Sequence, residues 1–215
     1  MTQTCNVVVL ISGNGSNLQA LLDSQTPEHP LRISAVISNR ADAYGLERAA
    51  QANVPTQVLN HKDFSSREDF DAALIQLIDQ YQPHLVVLAG FMRILSAGFV
   101  EHYQGRLLNI HPSLLPKYKG LETHRRALEA GEPEHGCSVH FVSAELDGGP
   151  VIAQARLRVW PNESVDTLAH RVHELEHQIY PMVTRWFAEG RLRLATQGAM
   201  LDGKLLPTNG YVLNT

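Results

Sequence analysis

Cysteine is scarce in this chain: Cys5 and Cys137 are the only two among 215 residues. Neither belongs to a C-x-x-C or related spacing, which excludes a cysteine-built metal centre and a disulfide framework and leaves two reduced packing residues. Long apolar runs are missing as well. No stretch approaches the roughly 20 residues of a membrane helix, so no membrane partner is expected. The opening lacks a basic n-region, and its apolar run Val7 to Ile11 is too short for a signal h-region, so a cytoplasmic location is the expectation. Positive charge is not in excess: 18 Lys and Arg stand against 22 Asp and Glu, for a net charge of −4. A basic nucleic-acid surface is excluded on that balance. Internal repeats, low-complexity tracts and linkers are also absent. What is present is a chain 44% hydrophobic, enough for one core, and residues 1–215 read as a single domain.

The pattern of that hydrophobicity is α/β. Apolar runs at 6–11, 31–38, 54–59, 84–89 and 107–111 read as strands, with two more at 138–142 and 151–159. Helical patterns fall near 18–22, at an Ala-rich stretch ending near 52, and at 67–81, 123–130 and 165–188. Strand–helix alternation with unbroken apolar strands implies a mostly parallel sheet covered by helices on both faces. In the last helix Val165, Leu168, Val172, Leu175, Ile179, Met182 and Trp186 recur every three or four residues and predict its buried side. Glu176 borders that stripe, where a carboxylate requires a partner. Asp202-Gly203 between short apolar segments predicts a hairpin.

Three features carry chemistry. Asn109 and His111 stand two apart at the end of a strand, so period-two alternation points both to one side. Pro112 ends the strand there. A neutral and a titratable donor aimed at one spot suit an oxygen that gains negative charge. Ser12-Gly-Asn-Gly-Ser-Asn17 joins a strand to a helix. Its glycines permit close backbone approach and the helix N-terminus favours an anion. It lacks the Gly-Lys-Ser/Thr of a P-loop and the third glycine of the dinucleotide fingerprint, so a phosphate monoester fits better than a pyrophosphate. Asp147, in a Gly-Gly-Pro loop, is the candidate carboxylate for favouring a charged His111, although nothing in the spacing brings the two together and a turn residue is the simpler reading. His173-Glu174-Leu175-Glu176-His177 formally matches H-E-x-x-H, but no third ligand stands nearby, and a polar helix face explains it more cheaply. No metal is expected.

Together these motifs resemble the folate-dependent formyltransferase family. The likeness spans Ile11 to Leu18, Val87 to Leu95, Asn109-Ile-His-Pro-Ser-Leu-Leu-Pro116, His140-Phe-Val, Glu145 to Pro150 and Glu176 to Pro181. It implies a single-domain, Rossmann-like fold with a mostly parallel seven-stranded sheet. The N-terminal half would bind the phosphorylated ribonucleotide, and the C-terminal half would carry folate binding and catalysis. It further implies formyl transfer from 10-formyltetrahydrofolate to the amine of glycinamide ribonucleotide. Asn109, His111 and Asp147 match the catalytic trio. Gly15, Ser16 and Asn17 match the phosphate turn, and Glu176 a residue holding the acceptor. Arg67, Met92, Arg93, Ile94, Leu95, Ser143, Asn109 and Asp147 match folate-pocket positions. Lys119 departs from the family pattern, which has proline there. Small-molecule partners and a monomer or weak homodimer are implied. Transfer to tRNA, hydrolysis to formate, and a non-catalytic phosphometabolite sensor are the rival readings.

Overall fold

The computed structural model describes residues 4–214. Eight strands share one sheet in the order β11-β7-β6-β5-β4-β1-β2-β3. A separate three-stranded sheet has the order β10-β9-β8. The chain divides into two compact units, Met1–Asn109 and Ile110–Thr215.

In the first unit, β1 (Cys5–Ile11) lies between β2 (Leu31–Ser38) and β4 (Leu85–Leu88), parallel to both. Its Val-Val-Val-Leu-Ile run suits a strand buried on both faces, since β-branched side chains pack well on a pleat. Val7 to Ile11 are at most 1% exposed. β3 (Thr56–Val58) extends the sheet beyond β2, and β5 (Leu107–His111) pairs with β4 through Leu107, Leu108 and Asn109. Four helices serve this unit: α1 (Ser16–Asp23), α2 (Gly45–Gln51), α3 (Arg67–Asp79) and α4 (Ala97–His102). The Asp69 N–H donates to Ser66 and the Phe99 N–H to Ser96, so α3 and α4 each begin on a serine cap worth about 1 kcal/mol. The strand order reverses between β1 and β4. In open α/β sheets the carboxyl ends of strands at such a reversal form a crevice for ligands.

The second unit is built on β6 (Glu134–Phe141) and β7 (Val151–Arg158), paired antiparallel, with β11 (Tyr211–Asn214) parallel to β7. α5 (Thr123–Glu129) and α6 (Val165–Ala188) belong to it, and α6 packs on both β6 and β7. Val183 rather than Met182 continues the buried side of α6, because it follows Ile179 by four residues and precedes Trp186 by three. β8 (Leu192–Ala195), β9 (Gly198–Leu201) and β10 (Lys204–Leu205) form the small sheet. Asp202 and Gly203 both adopt positive φ, 52° and 77°, as the predicted hairpin turn between β9 and β10 requires.

The large sheet has eight strands where seven were expected. The addition is β11, four residues after a Pro- and Gly-containing turn, too short for its own periodicity to mark it. α4 and β8 are likewise brief elements that the apolar pattern alone does not separate from loop.

Leu10 is fully buried in β1. Leu10→Ala is expected to cost about 2–5 kcal/mol through lost burial and a residual cavity. Urea unfolding should show a lower midpoint at an unchanged slope.

Candidate active site

The turn after β1 is shaped by close approach of backbone. Gly15, the residue preceding α1, has φ 76°, and a Cβ there would sit 2.6 Å from the Gly45 Cα. Only glycine meets both conditions. The Gly45 N–H donates to Gly13 O at 3.0 Å. Arg48 clamps the turn from α2: its Nε donates to Asn14 O at 2.8 Å and Nη2 to the Asn14 side-chain oxygen at 2.9 Å. Gly15 carries no capping side chain, so the first-turn N–H groups of α1 remain oriented for an anion. The next loop of the crevice touches this one, with Met92 N–H donating to Ser12 Oγ at 2.8 Å. Ser12 Oγ in turn donates to Asn39 Oδ1. Met92 and Ile94 are exposed apolar side chains, and Arg93 and Leu95 are half-buried between and beside them. The Arg93 Nε is buried with no hydrogen-bond partner among the described residues. Arg67 opens α3 on the surface, paired with Glu68 at 3.4 Å.

Asn109 and His111 occupy alternate positions of β5 and therefore share one side of it. His111 is buried, and both ring nitrogens face acceptors. Nε2 lies 2.8 Å from the Tyr118 carbonyl oxygen and Nδ1 lies 3.4 Å from Asp147 Oδ2. A carbonyl only accepts, so Nε2 carries a proton. Nδ1 faces the Asp147 carboxylate, and the two form an ion pair when the ring is charged. The Asp147 side chain is only 8% exposed. Its Oδ2 also accepts the Gly120 N–H at 2.9 Å, and its Oδ1 lies 3.8 Å from His140 Nε2.

Local backbone explains how Asp147 arrives there. It sits in the β6–β7 connection with φ 48°, a left-handed conformation that aspartate tolerates better than most residues. A Cβ on Gly149 would fall on the Phe141 carbonyl oxygen, and one on Gly148 would strike the Glu145 carboxyl group. The glycines therefore let the connection fold tightly back on the end of β6. Ser143 Oγ donates to Glu145 O at 3.2 Å inside the same loop.

Glu176 lies within the buried side of α6 at 3% exposure, inside the stripe rather than at its edge. Burial first, and the Glu176 charge second, push the Cys137 thiol and the Tyr180 hydroxyl up. His173 and His177 stack at 6.4 Å on α6, and no group of three or more His, Cys, Asp or Glu suited to a metal occurs among the described residues. A cavity of about 330 Å³ lined by Leu115, Tyr118, Glu132, His135, Gln154 and Arg156 includes none of Asn109, His111 and Asp147.

The structure thus brings His111 and Asp147 together, which spacing alone does not do. Sequence reasoning missed Tyr118 O, the Gly120 N–H, His140 and Arg48. Strand alternation offered a signal only for His140. The others act through a backbone group or from a distant helix.

Residues 5–184 match the family described as formyl transferase. Phosphoribosylglycinamide formyltransferase of Escherichia coli K12 is 60% identical over 207 residues, covering 96% of this chain and 98% of that protein. The human trifunctional purine biosynthetic protein adenosine-3 is 46% identical over 193 residues, covering 89% of this chain and 19% of the longer protein. Among solved structures, phosphoribosylglycinamide formyltransferase of Coxiella burnetii superposes with a TM-score of 0.94 at 56% identity, covering 98% of this chain and 99% of its own.

His124 Nδ1 and His135 Nε2 lie 3.1 Å apart, so one ring must keep a bare nitrogen to accept. Burial is the main influence that pushes both down to about 4, followed by the charge of His173 on His124 and that of His124 on His135. A depressed histidine contributes stability above its unfolded value near 6.5 and loses it as pH falls through the folded value. Stability should therefore drop between about pH 6.5 and 4 by roughly 1.4 kcal/mol per pH unit for each extra proton bound on unfolding. Denaturant titrations at stepped pH should show that excess slope, and the double variant His124→Asn, His135→Asn should lack it.

Proposed function

The chain belongs to the formyl transferase family, and from that premise we propose that it transfers the formyl group of 10-formyltetrahydrofolate to the amine of 5-phosphoribosylglycinamide. The products are formylglycinamide ribonucleotide and tetrahydrofolate, a step of purine biosynthesis. The observation that carries this reading is the alignment of Asn109 and His111 on one side of β5 with Asp147 3.4 Å from the His111 ring.

In the proposed reaction the substrate amine attacks the formyl carbon. A C–N bond forms to the acceptor, the bond from carbon to the folate nitrogen breaks, and the amine proton ends on that departing nitrogen. The carbonyl oxygen passes through a negatively charged state. The Asn109 carboxamide and the His111 imidazolium donate to it, and Asp147 keeps His111 charged and assists the proton movement. The His111 Nε2 proton now rests on the Tyr118 carbonyl, so substrate binding exchanges that acceptor for the formyl oxygen. Preorganised donors of this kind need no solvent reorganisation at the moment of reaction.

Gly15, Ser16 and Asn17 hold the acceptor's phosphate on the first turn of α1, where exposed N–H groups and the helix dipole meet its charge. Glu176 anchors the rest of the acceptor through its buried carboxylate. Met92, Ile94 and Leu95 offer apolar surface for the folate ring system. Arg93, Arg67 and Ser143 supply polar contacts to it, and Asn109 and Asp147 complete the folate-facing set. No metal takes part in this scheme. The expected setting is the cytoplasm, as a monomer or weak homodimer without membrane or nucleic-acid partners.

An assay with labelled formyl donor tests the assignment. Label should appear in formylglycinamide ribonucleotide; label in tRNA, in free formate or nowhere would replace this reading with a rival. Asn109→Ala should lower kcat about a hundred- to a thousandfold, the effect of one lost oxyanion donor, with both substrates still bound. Near-normal turnover in that variant removes Asn109 from the role.

A further inference from the structure

Two loops of the second unit are fastened to each other at two points. One loop carries Tyr118, whose carbonyl holds His111, and the other carries Asp147. The first fastening is the Gly120 N–H to Asp147 Oδ2 at 2.9 Å. The second, one residue earlier and two residues earlier along the respective loops, is Lys119 Nζ to Glu145 Oε1 at 2.6 Å. The lysine end of this ion pair is the more enclosed, at 34% exposure against 70% for the glutamate.

Both ends are placed by further contacts. Arg126 Nη1 donates to Lys119 O at 2.8 Å and to Leu121 O at 3.1 Å. Its guanidinium also lies over the Tyr118 ring. On the other loop, the missing side chain of Gly148 leaves the space that the Glu145 carboxyl group fills. The Lys119 charge reaches into the site: after burial, it is among the influences that push His140 down, and His140 borders Asp147.

We propose that Lys119 and Glu145 form a positioning pair that holds the Asp147 loop against the His111 loop, and so sets the place of Asp147 during formyl transfer. The inference rests on the transfer reaction proposed above. Neither residue touches the reacting atoms. The ion pair restrains the segment whose backbone N–H binds Asp147, and it restrains the loop that bears Asp147. Asp147 is held in a left-handed conformation, and its carboxylate is fixed by contacts from the neighbouring loop. A partly exposed ion pair supplies a modest share, and it weakens as salt screens it.

Amide exchange and kinetics on the full chain test this separately. In Lys119→Met and Glu145→Gln, exchange of the Gly120 amide should quicken about two- to fivefold, read by NMR without substrates. With both substrates saturating, kcat should fall by the same about two- to fivefold while both KM values hold. Wild-type kcat should decline toward the variant's value in about 1 M NaCl, and the variants should respond little. The exchanged pair, Lys119→Glu with Glu145→Lys, should recover much of both losses. Unchanged Gly120 exchange, an unchanged or raised kcat, equal salt response in wild type and variants, or no recovery in the exchanged pair would overturn the proposal. A wild-type protein that transfers no formyl group would defeat the functional reading instead, and the Gly120 exchange would still report on the clasp.

Discussion

The carboxylate of Asp147 meets His111, the Gly120 N–H and the neighbourhood of His140 within one buried volume. A charged group so enclosed is costly unless its oxygens are matched by donors or opposite charge. Here a backbone N–H and a histidine ring supply that match. The same match orients the ring, because Nδ1 turned to the carboxylate leaves Nε2 turned to Tyr118 O. Donor placement is thus a consequence of that one contact.

The first unit solves a different problem by different means. The turn after β1 there is shaped by absence of side chain. A Cβ on Gly15 would strike the Gly45 Cα and one on Gly45 would strike Ile11 Cδ1, and Arg48 ties the turn to α2 through Asn14. The guanidinium of Arg48 is engaged in holding the shape of that turn. The reversal of strand order between β1 and β4 puts the loops after these strands side by side, as the Met92–Ser12 hydrogen bond records.

The His124–His135 pair shows that histidine abundance is no guide to role. Of eleven histidines, these two are held neutral chiefly by burial, whereas His111 faces a carboxylate. His173 and His177, which share a helix side and complete the formal zinc pattern, stack on each other on α6, the first exposed and the second half-buried. Identical side chains diverge in chemistry because their neighbours differ.

The α/β class, the strands up to residue 111, the long amphipathic helix 165–188 and the Asp202-Gly203 hairpin were legible in the chain itself. Each is written in local periodicity or turn chemistry, which act over a few residues. So too were the shared side of Asn109 and His111, fixed by the pleat, and the glycine-shaped strand-to-helix turn at 12–17. The eighth strand was not legible, because four residues of β11 become a strand only when β7 offers its edge. Nor were the meeting of His111 with Asp147, the Tyr118 carbonyl on the ring, the Arg48 clamp or the burial of Glu176. Those depend on which distant segments pack together, and a distance of 3.4 Å between residues 36 positions apart is a property of the folded backbone that no local pattern encodes.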